Sequence, residues 1–217
     1  MKKIVVWFLV FLFCFHLGVF GFDDISDETM QSSVDTLAEF QIINGYEDGT
    51  FKPDKNITRA EFSKIIINTI AYYSELYNAE RVFDDVPDDY WATEYICKAR
   101  QLSIINGTTA TTFEPGANIT YEQAIKMIVV GLGYDTEAKE KGGYPGGYIQ
   151  VANELGILSG VDFENTDMAA RGNIALIIRK ALDVPYYNFF IKEDGVVWTK
   201  AEGTLYKYHQ ELDAVIG

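Results

Sequence analysis

Hydrophobic positions along the chain fall into distinct patterns, and each predicts a different element. From Ile4 to Phe15 the run is continuously apolar, follows Met1-Lys2-Lys3 and gives way to smaller residues toward Gly21. A basic start, a short apolar core and a small-residue end predict an export leader over residues 1–21, with a core too short to span a bilayer. Beyond it, apolar residues recur at helical spacing, as in Ile96, Ala99 and Leu102 or Ile149, Ala152 and Leu155. Denser aliphatic stretches predict buried helices from Thr58 to about Ile70, from Thr120 to about Leu132 and from about Ala170 to Leu182. Past Leu182 the pattern becomes aromatic and extended, through Tyr186-Tyr187-Asn188-Phe189-Phe190 and Gly195-Val196-Val197-Trp198-Thr199 and on to Gly217.

These elements recur. Phe22-Asp23-Asp24-Ile25-Ser26 returns as Phe83-Asp84-Asp85-Val86-Pro87. Phe40-Gln41-Ile42-Ile43-Asn44-Gly45 returns as Leu102-Ser103-Ile104-Ile105-Asn106-Gly107 and again as Leu155-Gly156-Ile157-Leu158-Ser159-Gly160. Asn56-Ile57-Thr58-Arg59-Ala60-Glu61 matches Asn118-Ile119-Thr120-Tyr121-Glu122-Gln123, with Ala169-Ala170-Arg171-Gly172-Asn173 as the third counterpart. The chain divides accordingly into units at 22–78, 79–137 and 138–184, followed by 185–217 as a tail or the start of a further module. Each unit reads as a helix, a turn, a short extended piece and a second helix. The first helix of each is expected to end at a glycine, Gly45, Gly107 or Gly160, where positive φ is common. One unit alone is too small to bury its helix faces, so the three must pack into one body.

The start of the first buried helix carries the candidate chemistry. Thr58 and Glu61 form a capping box, in which each side chain satisfies a backbone N–H of the first turn. Arg59 has no capping role, because a cation there opposes the helix dipole. An arginine at a helix N-terminus predicts a seat for a carboxylate or phosphate, held by backbone donors and the guanidinium together. The competing explanation is an exposed arginine in a surface salt bridge.

Charge and composition narrow the partners. The formal net charge is −14, which disfavours nucleic acid and anionic lipid, so an anionic partner requires a local basic pocket. Outside the leader, which contains Cys14, Cys97 is the only cysteine and His209 the only histidine. Cys97, beside Tyr95 and Ile96, is expected to be a buried structural thiol. Asp84, Asp85, Asp88 and Asp89 read as turn and cap residues rather than an acid pair, and the Asn44–Lys55 loop has lysine where a calcium loop needs glutamate. No catalytic residue, metal site or cofactor is expected.

The Phe-Asp-Asp-Val type openings, the run from Ile42 to Pro53 and the Ile-Thr-Arg-Ala-Glu motif, in three tandem copies, resemble the S-layer homology (SLH) family over residues 22 to about 183. The resemblance implies a mainly α fold, a pseudo-threefold prism of three units around a central three-helix bundle. It also implies grooves between units that bind the secondary cell-wall polymer of Gram-positive bacteria, often through a pyruvylated sugar met by the motif arginine. The expected location is the cell wall or S-layer, without stable membrane insertion. Residues implied in ligand binding are Arg59, Arg171, Thr58, Glu61, Gly45, Asn106, Gly107, Trp91, Tyr144, Tyr121 and Lys126.

The copies depart from the pattern differently. Copy one has Thr29 where copies two and three have Trp91 and Tyr144. Copy two has Tyr121 at the arginine position, with Lys126 as the available substitute cation, and copy three keeps Arg171 but has Ala170 at the cap. Two functions fit: an anchor that binds wall polysaccharide, or a degenerate scaffold for self-assembly or a protein partner.

Overall fold

The computed structural model describes residues 21–70, 83–192 and 195–216. The export leader expected over residues 1–21, except for Gly21, lies outside the described residues, and Cys14 with it. In chain order the elements are α1 (Glu28–Glu39), α2 (Arg59–Thr69), α3 (Thr93–Gln101), α4 (Tyr121–Gly131), α5 (Asp135–Glu140), α6 (Gly146–Glu154), α7 (Arg171–Ala181), β1 (Pro185–Lys192), β2 (Gly195–Thr204) and α8 (Leu205–Ile216). Among the described residues the architecture is mainly α, with one two-stranded antiparallel sheet.

The buried helices start where the capping signals put them. Thr58 with Glu61 and Thr120 with Gln123 both form complete capping boxes, whereas Ala170 offers α7 no side-chain cap. The two amides that follow each cap are satisfied from another unit. Arg59 and Ala60 donate to the carbonyls of Ala117 and Pro115, Tyr121 and Glu122 to Asp167 and Asn165, and Arg171 and Gly172 to Lys55 and Pro53. Just before the helices, Ile57 N–H bonds Ala169 at 2.9 Å, Ala169 bonds Ile119 at 2.8 Å and Ile119 bonds Ile57 at 3.1 Å. The three extended pieces thus close a ring of main-chain hydrogen bonds.

Side-chain packing follows the same cyclic order. α2 packs on α3, α4 on α6 and α7 on α1, so the second helix of each unit meets the first helix of another. α4 also lies against both α2 and α7, and Gly131 permits close approach, since a Cβ there would sit 3.0 Å from Ile66. The core formed in this way includes Leu37, Phe51, Phe62, Ile66, Ile96, Phe113, Ile128 and Ile178. Cys97 is buried within α3, as its neighbours predict.

Two sequence expectations about backbone need correction. Immediately beyond the C-caps of the first helices positive φ falls at Gln41, Ser103 and Gly156, and of the expected Gly45, Gly107 and Gly160 the first two lack it. Only Gly160 of those three glycines has positive φ, and it lies beyond the helix end. Gly45 and Gly107 answer to space instead: a Cβ would come 2.2 Å from the Phe22 ring at one and 2.3 Å from the Thr109 carbonyl oxygen at the other. The stretch from Leu205 onward is helix α8 rather than strand, and α5 is an element the repeat pattern did not predict.

The second aspartate of each opening motif has a structural task. Asp24 accepts from the Phe51 and Lys52 amides, and Asp85 from the Phe113 and Glu114 amides. These bonds hold Lys52 at φ 58° and Glu114 at φ 59°, left-handed values unusual for such residues. Asp24 and Asp85 therefore each clamp the Phe-x-Pro loop of their own unit.

The tail packs back on the body. Tyr187 N–H donates to the Leu132 carbonyl at 2.9 Å and Tyr206 N–H to that of Leu182 at 2.8 Å. His209 is buried, stacks on Phe40 with ring centres 5.1 Å apart, and contacts the Thr69 carbonyl through Nε2 at 2.9 Å.

Candidate functional site

Each residue at the motif-arginine position crosses into another unit. Arg59, at the first turn of α2, donates through Nε to the Phe113 carbonyl at 2.7 Å and through Nη2 to that of Asn106 at 2.8 Å, with its guanidinium 4.4 Å from the Phe113 ring centre. Arg171 repeats the arrangement on the first unit, donating to the Phe51 carbonyl at 3.0 Å and to that of Asn44, and lying over the Phe51 and Tyr46 rings. Only 6% of Arg171 is exposed, against a half-buried Arg59. Burial pulls both guanidinium pKa values down; Glu114 and Asp85 oppose this at Arg59, and Tyr46 and Glu61 at Arg171.

This geometry corrects the expected anion seat. The amides of Arg59 and Ala60 are bonded to carbonyls and that of Glu61 to the Thr58 hydroxyl, so no first-turn donor of α2 is left for a ligand. The surface-salt-bridge explanation fails as well, because the partners are main-chain oxygens. Of the guanidinium donors, Nη1 and the remaining Nη2 hydrogen are the ones left to meet a ligand.

The arginines open onto two cavities of matching design. The larger, about 490 Å³, is lined by Arg59, Asn106, Gly107, Phe113, Gln123, Lys126 and Tyr144, among others. The smaller, about 190 Å³, is lined by Asn44, Gly45, Tyr46, Glu61, Lys64, Trp91 and Arg171, among others. Gln123 and Glu61 hold equivalent positions in the two, as do Lys126 and Lys64, and Tyr144 and Trp91. Trp91 and Tyr144 are 53% and 52% exposed, large rings presented at the cavity mouths. Lys126 therefore adds to the Arg59 cavity rather than replacing a missing arginine.

Local contacts fix these side chains. Tyr144 donates to Glu122 at 2.9 Å, and burial together with that carboxylate pushes its hydroxyl up to about 12. Lys126 donates to the Ile104 carbonyl at 2.8 Å, and burial lowers its pKa. Glu61 accepts from the Tyr46 hydroxyl and from Lys55; burial raises its carboxyl, but the Thr58 amide and Lys55 outweigh this and hold it below the ordinary value. Thr58 serves the cap and lines neither cavity.

The third equivalent position is filled differently. Tyr121 is buried, stacks on Phe163 at 4.3 Å, and its hydroxyl accepts from the Ala170 amide at 3.1 Å and from Asn173 at 2.8 Å. The corresponding aromatic position, at the start of α1 beside α7, is Thr29. The motif arginine and the aromatic are thus both missing at one seam, where the cavity beside Thr29 is lined instead by Glu28, Arg179, Lys180 and Asp183, while each of the other two has both. Sequence reasoning did not single out Phe51, Phe113, Tyr46, Lys64 or Glu122. For the two phenylalanines the signal was present, as equivalent positions in the repeated Phe-x-Pro piece.

The helical units thus bridge one another and leave two arginine-lined cavities at their seams. The S-layer homology domain profile matches residues 21–63 and 82–125. The chain is 28% identical over 94% of its length to a cell surface protein of Thermoanaerobacter kivui, 31% over 73% to the middle cell wall protein of Brevibacillus brevis, and 30% over 49% to a cellulosome-anchoring protein of Acetivibrio thermocellus. It covers 28%, 15% and 25% of those proteins' own lengths. No described helix is long and apolar enough to cross a membrane.

Proposed function

We propose that the chain anchors at the bacterial cell surface by binding an anionic wall polysaccharide in two of three inter-unit grooves. The observation that carries this reading is the double pairing of Arg59 with Tyr144 and Arg171 with Trp91, a cation beside an exposed ring in each cavity. A pyruvylated sugar supplies what such a pair recognises: a carboxylate for the free guanidinium donors and a flat sugar face for the ring. The family match and the relatives named for the cell surface, the cell wall and anchoring support it. On this reading residues 138–184 act as a third unit, the ring of main-chain bonds marks a pseudo-threefold prism, and residues 1–21 direct export. The protein binds without turnover.

The second reading, a scaffold for self-assembly or a protein partner, draws on the same arginines. Their bonds to main-chain carbonyls tie units together whether or not a ligand is present. Pull-down on purified cell-wall sacculi, with and without chemical removal of the secondary polymer, separates the two. Retention that disappears with the polymer is the expected result; retention that survives its removal favours the scaffold.

A further inference from the structure

Away from the grooves, a third cavity of about 570 Å³ lies between α5 and the β1–β2 hairpin, lined by Gly133, Tyr134, Thr136, Glu137, Glu140, Lys141, Tyr187 and Trp198. Its walls are fixed to the body at several points. Tyr187 N–H bonds the Leu132 carbonyl, and the Tyr134 hydroxyl donates to that of Pro185 at 2.9 Å. Gly133, at φ 90°, lets the hairpin approach so closely that a Cβ would lie 2.4 Å from Tyr187 Cβ and 3.1 Å from the Trp198 ring. Trp198 is steadied from the side by Phe189, its cross-strand partner, at 5.5 Å.

The net charge of this lining is negative, Glu137 and Glu140 against Lys141, where that of each arginine-lined groove is positive. Lys141 is held by Glu154 at 3.1 Å and by Glu137 at 3.7 Å, and Lys200, across the ladder from Tyr187, is not a lining residue. Glu140 is exposed and makes no ion pair among the described residues. Burial, Tyr187 and Glu137 all push the Tyr134 hydroxyl upward, as expected where the field is negative. Aromatic faces with adjacent carboxylates are suited to a pyranose that stacks on a ring while presenting an ammonium group.

We propose that this cleft is a separate saccharide site, selective for an amino sugar with a free amine. Trp198 and Tyr187 provide the stacking surface, and Glu140 with Glu137 receives the ammonium. The site is independent of the groove reading, since it shares no residue with either cavity.

The test is titration of the full chain with the glucosamine trimer and with its N-acetylated counterpart, followed by the Trp198 indole N–H signal, assigned through Trp198→Phe. The free-amine trimer should shift that signal and leave Trp91 unmoved, with the acetylated trimer roughly tenfold weaker. Glu140→Gln should weaken binding about two- to fivefold, the range of an exposed charge pair, and the effect should shrink with added salt. Trp198→Ala should abolish the response as read by Tyr187, while Glu140→Gln keeps the test valid if the hairpin loosens. Equal binding of the two trimers overturns the amine selectivity, and absence of any Trp198 shift overturns the site. Lysine amide binding as tightly as the sugar would remove the saccharide and leave an ammonium cage.

Discussion

Replacing Arg171 with alanine removes more than a ligand contact. The side chain is 6% exposed and gives hydrogen bonds to the Phe51 and Asn44 carbonyls, while its guanidinium covers two aromatic rings. A hydrogen bond to a charged group contributes about 1.5–3 kcal/mol net, and a partly desolvated cation–π contact about 0.5–2 kcal/mol. These terms are not additive, and the cavity left behind takes in water, so a loss of about 3–5 kcal/mol is the expected range. For a chain of this length that corresponds to a fall in melting temperature of roughly 6 to 20 °C. Thermal melting followed by circular dichroism, with a urea titration to confirm an unchanged slope, measures it. Arg59→Ala should destabilise less because Arg59 is only half-buried. Tyr121→Phe gives an internal reference: the Ala170 amide and Asn173 each lose an acceptor, at about 1–3 kcal/mol. If Arg171→Ala melts within 2 °C of the parent, the inter-unit clamp is wrong and the arginine is held for a ligand alone.

Binding to sacculi should weaken by roughly 10- to 150-fold in whichever of Arg59→Ala and Arg171→Ala stays folded at the assay temperature, and by less than about fivefold in Tyr121→Ala. Gly107→Ala should cost about 3 kcal/mol in a urea melt, because the added carbon meets the Thr109 and Thr112 carbonyl oxygens at 2.3 and 2.5 Å and the backbone must move. Burial works to raise the Asp24 and Asp85 carboxyls, but the backbone amides they accept from outweigh it and leave both below the ordinary value. A depressed folded-state pKa gives stability that is full above the unfolded value near 4 and lost as pH falls through the folded one. Asp24→Asn with Asp85→Asn should therefore flatten the acid limb of a stability–pH curve below about pH 4, and an unchanged limb refutes the clamp.

Much of the body was legible because the same signals recur along the chain. Thr58 with Glu61 and Thr120 with Gln123 place helix starts to the residue, and aliphatic density places their ends within one or two. Gly45 and Gly107 were legible as necessary but misread in cause, since sequence shows that a side chain is missing and not whether space or φ forbids it. The grooves were legible only as an unassembled set of parts. Spacing within a unit cannot reveal that Arg59 reaches Asn106 or that Arg171 reaches Asn44, contacts separated by 47 and 127 residues. The seat at the helix N-terminus failed for the same reason: the carbonyls of Ala117 and Pro115 that occupy its donors come from another unit.

That crossing changes how the departures between copies are understood. Compared unit by unit, each copy has lost something: Thr29 for an aromatic, Tyr121 for an arginine, Ala170 for a cap. Traced through the fold, the first two losses meet. Unit one sends Arg59 to the second unit's loop, where the third unit supplies Tyr144, and unit three sends Arg171 to the first unit's loop, where the second supplies Trp91. The remaining combination is Tyr121 with Thr29. Tyr121 is not a vacancy, because its stacked ring and doubly bonded hydroxyl fill the inter-unit joint that an arginine fills elsewhere. The joint and the ligand contact are thus separable roles of one position. Tyrosine satisfies the first with a neutral group, so this position sends no cation toward a ligand where the other two keep one facing a cavity.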